Sequence, residues 1–564
     1  MPHRSLLDSI FARIGKLHAG SVARRFFKAV GRARAVQEEL RAALVARAAE
    51  TAFGRDRHFA RIRSYADFHA NIPVLNYMDF APYIDRVRRG ETTALIPAGE
   101  RVLMFALTSG TTAQPKYIPI TQGVLAECRR GWNIWGLKAI LDHPPSLLRH
   151  ILQVTSSMHD HTAPSGVPCG AITGLLAATQ KKLVRRYYTS PAAVAGIEDP
   201  TAKYYTIMRL AVARDVSWAV TASPATLLLL AKTGDEHKRQ LIRDIHDGTL
   251  REDIEVPREI RESLRPRLAA DAAAARRLDA IASRSGVLYP KDYWRLDFLA
   301  HWTGGTMGLY RSQFPRYYGS PPVRDIGLIA SEGRMSIPVA DETASGILAV
   351  TSHFFEFIPE SAYGGRQPAV LRMHELREGE TYFVLLTNAS GLYRYDIGDR
   401  VRVTGWVGEA PLIEFLSRDA HTSSMTGEKL TEDQVVGAMK DVFGEVDPIA
   451  EFVLAPRFGE LPWYRLYLET ADATRRPGLA EKFDLALCRV NPEYDSKRKS
   501  LRLGPVEVVP LRDGTLAERD RRLRVQRSRT SEQFKHQYLL ASPGADRDLE
   551  SRALHGKKDE PVNG

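Results

Sequence analysis

Apolar residues recur at three- and four-residue intervals through VQEELRAALVARAAETA (36–52), the spacing that lays one apolar stripe along a helix. Residues 1–60 as a whole read as helical. From roughly 100 to 405 the pattern changes. Short β-rich runs at Arg101–Leu107, Val216–Val220, Gly346–Val350, Thr381–Thr387 and Arg400–Val403 alternate with helical stretches such as Pro224–Thr233 and Ala269–Ala282. Strands alternating with helices predict an α/β fold, with mixed or parallel sheets and flanking helices in one large domain spanning 1–415. The Ala/Arg/Glu-rich stretch 234–284 reads as surface helices.

Beyond 415 the composition shifts. FLSRDAHTSSMTGEK (415–429) is small and polar, which predicts a hinge linker over 416–430. Thr431 then opens a helix, TEDQVVGAMKDVF, with the Thr-x-x-Gln spacing of a capping box. Strand-like runs follow at Pro448–Leu454, Trp463–Thr470 and Pro505–Leu511, predicting a smaller, mobile α+β domain over 431–541. The polar tail 542–564 reads as disordered.

A length of 564 residues predicts more than one core, and 44% apolar against 26% charged residues excludes wholesale disorder. Three cysteines without paired spacing exclude a disulfide scaffold and a structural zinc site. The most apolar run, Ala219–Ala231, is too short to span a bilayer and holds Thr221, Ser223, Pro224 and Thr226. Asp8 and Arg13 interrupt what a signal peptide would need, so the expected location is cytoplasmic.

The net charge is +12, which raises a nucleic-acid reading. Yet 61 arginines stand against 18 lysines, a bias of the whole chain, and the densest basic runs, Arg519–Arg529 and Lys181–Arg186, carry no zinc-finger spacing or aromatic interleaving. They read as solvated surface. Lysine scarcity sharpens one candidate, because Lys291 is the only other lysine accompanying Lys429 between Lys238 and Lys440.

The first chemically informative segment is LTSGTTAQPKYIPIT (107–121). A strand-like run delivers Thr108, Ser109, Gly110, Thr111 and Thr112, then Pro115 and Lys116. Glycine lets backbone approach an anion, hydroxyls and amides bond its oxygens, and a lysine adds a point charge. A plain turn between two strands would use the same residues. IGLIASEG (326–333) places Ala330, Ser331 and Glu332 after an apolar run, and GLYRYDIGDRVRV (391–403) puts Asp399 in a Gly-Asp turn entering a strand.

The cradle resembles the phosphate loop of the adenylate-forming superfamily, with Ala113 in place of the usual glycine. The other segments resemble more closely the Gretchen Hagen family of acyl acid amido synthetases, known for auxin and jasmonate conjugation in plants. IGLIASEG is similar to that family's Tyr-Ala-Ser-Ser-Glu adenine motif, TSHFFEFIP to its Phe-Glu-Phe segment, GLYRYDIGD to its Gly-Leu-Tyr-Arg-Tyr…Gly-Asp motif and EKLTED to its linker end. The likeness covers roughly 35–540 in the family's order. Ile329 and the single Ser331 depart from the plant motif, and the arginine bias looks more bacterial than plant.

The resemblance implies a two-step ligase using ATP and Mg²⁺. A small carboxylic acid is activated as an acyl-adenylate and then passed to an amino acid or other amine. It implies phosphate contacts from Thr108, Ser109, Gly110, Thr111 and Thr112, adenine contacts from Ala330 and Ser331, Mg²⁺ at Glu332 and ribose at Asp399. Lys429 would reach the α-phosphate during adenylation, and the small domain would rotate between half-reactions. Arg418 would touch ribose or phosphate, while Lys116 and Lys535 are weaker nucleotide candidates. A monomer without nucleic-acid or membrane partners is expected. A thiol such as coenzyme A, or an alcohol, stays open as acceptor, and a basic scaffold with an inactive nucleotide fold is the remote alternative. His159-Asp160-His161 looks ligand-like but lacks a third ligand nearby. Gly166–Gly170 resembles a family loop that lines the acid pocket.

Overall fold

The computed structural model describes residues 6–108, 116–365, 367–418, 422–423, 425, 428, 430–444, 451–459, 461–469, 478–499, 503–527, 535–541 and 543–554. Side chains are described from residue 15 onward, apart from those of 108, 225, 306, 308, 309, 417, 418, 422, 492, 493, 496 and 527. The chain divides into two compact units, one holding Met1–Phe415 and the other beginning at Leu416.

The first unit carries three larger sheets. Val102–Thr108 and Lys116–Thr121 form an antiparallel hairpin, and Val102–Thr108 also pairs in parallel with Pro168–Gly170, which pairs with His161–Thr162. A second sheet is wholly parallel, in the order His150–Gln153, Val216–Val220, Phe298–His301, Val323–Asp325. Every residue of Val216–Val220 and of Phe298–His301 is buried, as expected of parallel strands covered on both faces. The Gln122–Asp142 helix starts where Thr121 Oγ1 accepts the Val124 N–H at 3.3 Å, and its Trp135 packs onto Trp218 of this sheet.

The third sheet has seven strands, with Gly346–Leu348, Ala410–Arg418, Tyr395–Val407, Thr381–Thr387 and Phe354–Pro359 as its consecutive inner members. Alternating burial along Tyr395–Val407 leaves one face on the core. The expected short strand Arg400–Val403 is therefore only part of a longer one. Its pairing with Thr381–Thr387 slips between Phe383 and Leu385, and Gly398 takes a φ of +72° at the irregularity. Asp399 thus sits at a bulge within a strand, not in a turn ahead of one.

Two motif segments meet in this core. Arg394, from the Gly-Leu-Tyr-Arg-Tyr stretch, donates through Nε to Glu356 of Phe-Glu-Phe at 3.0 Å, both residues being buried, and Tyr65 Oη donates to the same carboxylate at 2.8 Å. Burial raises the Glu356 pKa while Arg394 and Tyr65 oppose the rise. Removing one partner from such a pair leaves a buried charge uncompensated, so the two segments depend on each other in this core.

The second unit is α+β. Phe452–Arg457 pairs antiparallel with Trp463–Glu469, which pairs in parallel with Glu507–Leu511. Helices span Glu432–Phe443, Leu479–Val490 and Thr515–Arg527. The capping box forms: Gln434 N donates to Thr431 Oγ1 at 3.3 Å, and Thr431 N to Gln434 Oε1 at 3.2 Å. The segment expected to be a linker is partly paired, because one strand runs through Arg418 and Thr422–Ser423 pairs with Leu430–Thr431. The disordered tail expected from Ser542 is corrected for 543–554. Asp546 and Leu549 are fully buried there, and Asp546 accepts from Arg457 Nη1 at 3.0 Å and Tyr467 Oη at 2.8 Å. A buried leucine and a paired aspartate hold a segment whose composition reads as polar tail.

Candidate nucleotide site

Thr108 stands opposite Lys116 at the connected end of the first hairpin, the candidate phosphate cradle lying in the sequence between these two positions. Ser109, Gly110, Thr111, Thr112 and Lys429 lie outside the described residues, as do the side chains of Thr108 and Arg418. Lys116 is half-buried with Nζ 5.5 Å from the Tyr77 ring centre, a cation–π placement at the foot of the loop. Lys535 is exposed, in the second unit.

Ala330, Ser331 and Glu332 form a tight hairpin: Ile329–Ala330 pairs with Gly333–Arg334, leaving Ser331 and Glu332 at the bend. Both bend residues are buried. The turn following Thr381–Thr387 reaches this hairpin, where Asn388 Nδ2 donates to the Glu332 carbonyl at 2.7 Å. Tyr395 Oη lies 3.4 Å from Glu332 Oε1. The same strand carries the buried Asp399 four residues on, about 13 Å at 3.3 Å per extended residue and less across the bulge. Tyr395 thus links the Glu332 bend to the strand that carries Asp399. Asn388 and Tyr395 escaped the sequence reading because their role lies in contacts 56 and 63 residues away.

Beneath the hairpin lies a titratable pair. A Cβ on Gly333 would fall 2.1 Å from His353 Nε2, so only glycine lets the hairpin rest on that ring. His353 Nδ1 is 3.7 Å from Glu127 Oε2. Burial pushes His353 down to about 4 and raises Glu127 to about 8, with Arg130 and Arg47 opposing the Glu127 rise. Both groups are thus neutral between those values.

A carboxylate at a buried bend is a hard oxygen donor, the type Mg²⁺ prefers, so Glu332 fits a role in holding that ion. His159 and His161 do not act together: His159 Nε2 meets Thr162 Oγ1 at 3.0 Å, whereas His161 bonds Asp160 and Tyr117. Among the described residues, Glu451, Asp520 and His536 bring three potential ligand atoms close together. Both His536 nitrogens are already engaged, Nδ1 by Asp520 at 2.7 Å and Nε2 by the Phe452 carbonyl at 2.9 Å. This arrangement suits an imidazolium with two N–H donors and not a metal ligand.

The fold is that of the adenylate-forming ligases. It matches a solved 2-hydroxyisobutyryl-CoA ligase in its postadenylation state, with TM-score 0.53, 13% identity and coverage of 92% of this chain and 91% of the other. A solved GH3.15 acyl acid amido synthetase matches with TM-score 0.83, 20% identity, 94% of this chain and 96% of that one. The chain belongs to the GH3 family, matching its N-terminal domain over residues 22–323, its central domain over 346–418 and its C-terminal domain over 433–544. Among curated relatives, a jasmonoyl–L-amino acid synthetase of Oryza sativa subsp. japonica is 25% identical over 481 residues, 79% of this chain and 82% of the relative. No helix among the described residues is long and apolar enough to cross a membrane.

Proposed function

We propose that this protein is an ATP-dependent acyl acid amido synthetase that joins a small, apolar or aromatic carboxylic acid to an amino acid. In the first half-reaction a carboxylate oxygen attacks the α-phosphorus of ATP and the bond to pyrophosphate breaks. In the second, the amine nitrogen attacks the acyl carbon, its proton passes to solvent and AMP leaves. The observation that carries this reading is the Tyr395–Glu332 contact, which ties the acidic hairpin bend to the strand bearing Asp399.

Within this reading the 108–112 loop cradles phosphates, Ala330 and Ser331 border the adenine, and Asp399 accepts from the ribose hydroxyls. Glu332 would hold Mg²⁺, which offsets repulsion between the carboxylate and the triphosphate. Lys429 reaches the α-phosphate and Arg418 the ribose or phosphate, with Lys116 and Lys535 as outlying cations. Lys429 is flanked by anchored neighbours: Glu428 is buried and accepts from Tyr464 Oη at 2.6 Å and Met425 N at 2.8 Å, and Leu430 is fully buried. The small unit then turns about 416–430 between half-reactions in the cytoplasm, as a monomer.

A screen of acids and amines for pyrophosphate and AMP release with Mg·ATP, followed by mass identification of the product, tests the proposal. AMP release that depends on an amino acid and not on coenzyme A supports it. Release that depends on coenzyme A would move the protein to a thioester-forming ligase.

A further inference from the structure

Arg334 leaves the hairpin two residues after Glu332 and turns into the interior, where it is 2% exposed. Gly131 of the Gln122–Asp142 helix makes the room, since a Cβ there would lie 2.5 Å from Arg334 Cδ. The guanidinium lies over the Trp132 ring, 4.5 Å from its centre. Nη1 donates to the carbonyls of Ile326 at 2.8 Å and Ser336 at 3.2 Å. Nε and Nη2 are buried and meet no acceptor among the described residues.

Those two donors form the edge of the guanidinium that grips a carboxylate with parallel bonds. Elsewhere in this chain the same edge is filled. Arg149 presents Nε and Nη2 to Asp215 at 2.9 and 2.6 Å, and Arg498 presents them to Asp484 at 3.0 and 2.8 Å. The nearby Asp325 does not serve Arg334 in this way, because its carboxylate takes Thr303 N at 2.6 Å, Thr303 Oγ1 at 2.7 Å and Gly327 N at 2.6 Å. A buried cation with an unfilled fork is costly unless an anion completes it.

Position supplies the second indication. Ile326 follows the last residue of Val323–Asp325, so Arg334 lies at the carboxyl edge of the parallel sheet, where open α/β sheets receive their ligands. The surroundings are aromatic: Trp132 and Trp135 meet edge to face at 5.4 Å, Trp135 lies 6.0 Å from Trp218, and Trp218 Nε1 is another buried donor without an acceptor among the described residues. Unfilled donors among indole rings fit an anion with a flat apolar body.

We propose that Arg334 grips the carboxylate of the acid substrate through Nε and Nη2, with Trp132 and Trp135 walling an aromatic or similarly flat acyl group. The assignment rests on the amido-synthetase reading for the identity of that acid. When the acyl-adenylate forms, the carboxylate loses its charge and the fork loosens, so the contact weighs on acid binding more than on later steps.

Two measurements test it. In pyrophosphate exchange with the acid found active in the screen, Arg334→Gln should raise the acid KM by roughly 10–100-fold, the loss expected for a charge-assisted bidentate bond, and leave the ATP KM within about twofold. Arg334→Lys should recover part of the loss. An unchanged acid KM, or equal losses for acid and ATP, overturns the assignment. The wild-type protein gives a second test without ATP or any variant, through calorimetric titration with benzoate, indole-3-acetate and jasmonate against their methyl esters. Saturable binding of at least one carboxylate, with its ester at least about tenfold weaker, supports the fork. No saturable carboxylate binding, or an ester that binds as tightly, overturns it. Carboxylate binding without pyrophosphate exchange would instead remove the proposed reaction and leave the Arg334 site standing.

Discussion

Both units of this protein bury histidine, and His353 and His536 are driven in opposite directions. His353, under the acidic hairpin of the first unit, meets only desolvation and is pushed down to about 4. His536, in the second unit, is equally buried. Its desolvation is outweighed by the bond and charge of Asp520, with Glu451 and the Phe452 carbonyl adding, and it rises to about 9. Burial does not set the charge of an imidazole; the partner does. The first unit uses a neutral ring as a surface for backbone to rest on. The second uses a charged ring as a clamp between the Thr515–Arg527 helix and the Phe452–Arg457 strand.

The sharpest way to break this contrast is Asp520→Asn, which leaves the buried imidazolium without its counter-charge. We expect the second unit to lose roughly 3–5 kcal/mol, read by denaturant unfolding, and His536 to titrate at or below its ordinary value by NMR. A loss under about 1 kcal/mol would mean that the clamp is not an ion pair. The pH dependences come next, with opposite signs. His536 has its folded pKa raised from 6.5 to about 9, so its contribution is full below 6.5 and fades as pH climbs to 9, by roughly 3 kcal/mol. His353 has its folded pKa lowered from 6.5 to about 4, so its contribution is full above 6.5 and fades as pH falls to 4, by a similar amount. Glu127, raised from 4.5 to about 8, loses its contribution as pH rises through that window, so its neighbourhood is firmest between 4.5 and 6.5. NMR titration of the two imidazoles separates them: His353 should stay neutral down to about pH 4 and His536 charged up to about pH 9, and a shared midpoint near 6.5 would contradict the contrast.

Smaller effects sharpen it further. Gly333→Ala forces a methyl onto His353 and should cost about 1–3 kcal/mol, with a drop in pyrophosphate exchange because Glu332 shifts with the hairpin. Thr431→Ala removes the cap of the Glu432–Phe443 helix and should cost about 1 kcal/mol in the second unit, with no comparable change in the first. Thermal unfolding followed by segment-resolved exchange checks both.

Much of the fold was legible where local pattern and final environment agree. Val216–Val220 and Thr381–Thr387 are apolar runs that end as buried strands with the bounds their patterning suggests. The capping box at Thr431 is local chemistry and forms as spelled. Asp399 was misplaced because Gly-Asp reads as a turn, whereas strand pairing absorbs the glycine as a bulge. The tail was misread because Asp546 and Leu549 find partners far back along the chain, in Arg457 and the buried core. Glu332 and Asp399 stood out as candidates through motif likeness. Asn388, Tyr395, His353 and Arg334 received no role from the sequence, since their contacts join distant segments and leave no periodic trace.

The central claim is that Glu332 and Asp399 serve one nucleotide. ATP–pyrophosphate exchange in the presence of the identified acid tests it most directly. Glu332→Gln should lower the exchange rate by roughly 10²–10³-fold, the scale lost when a charge-stabilising group is removed, while Asp399→Asn should raise the ATP KM. Exchange within about twofold of wild type for both variants would contradict the account.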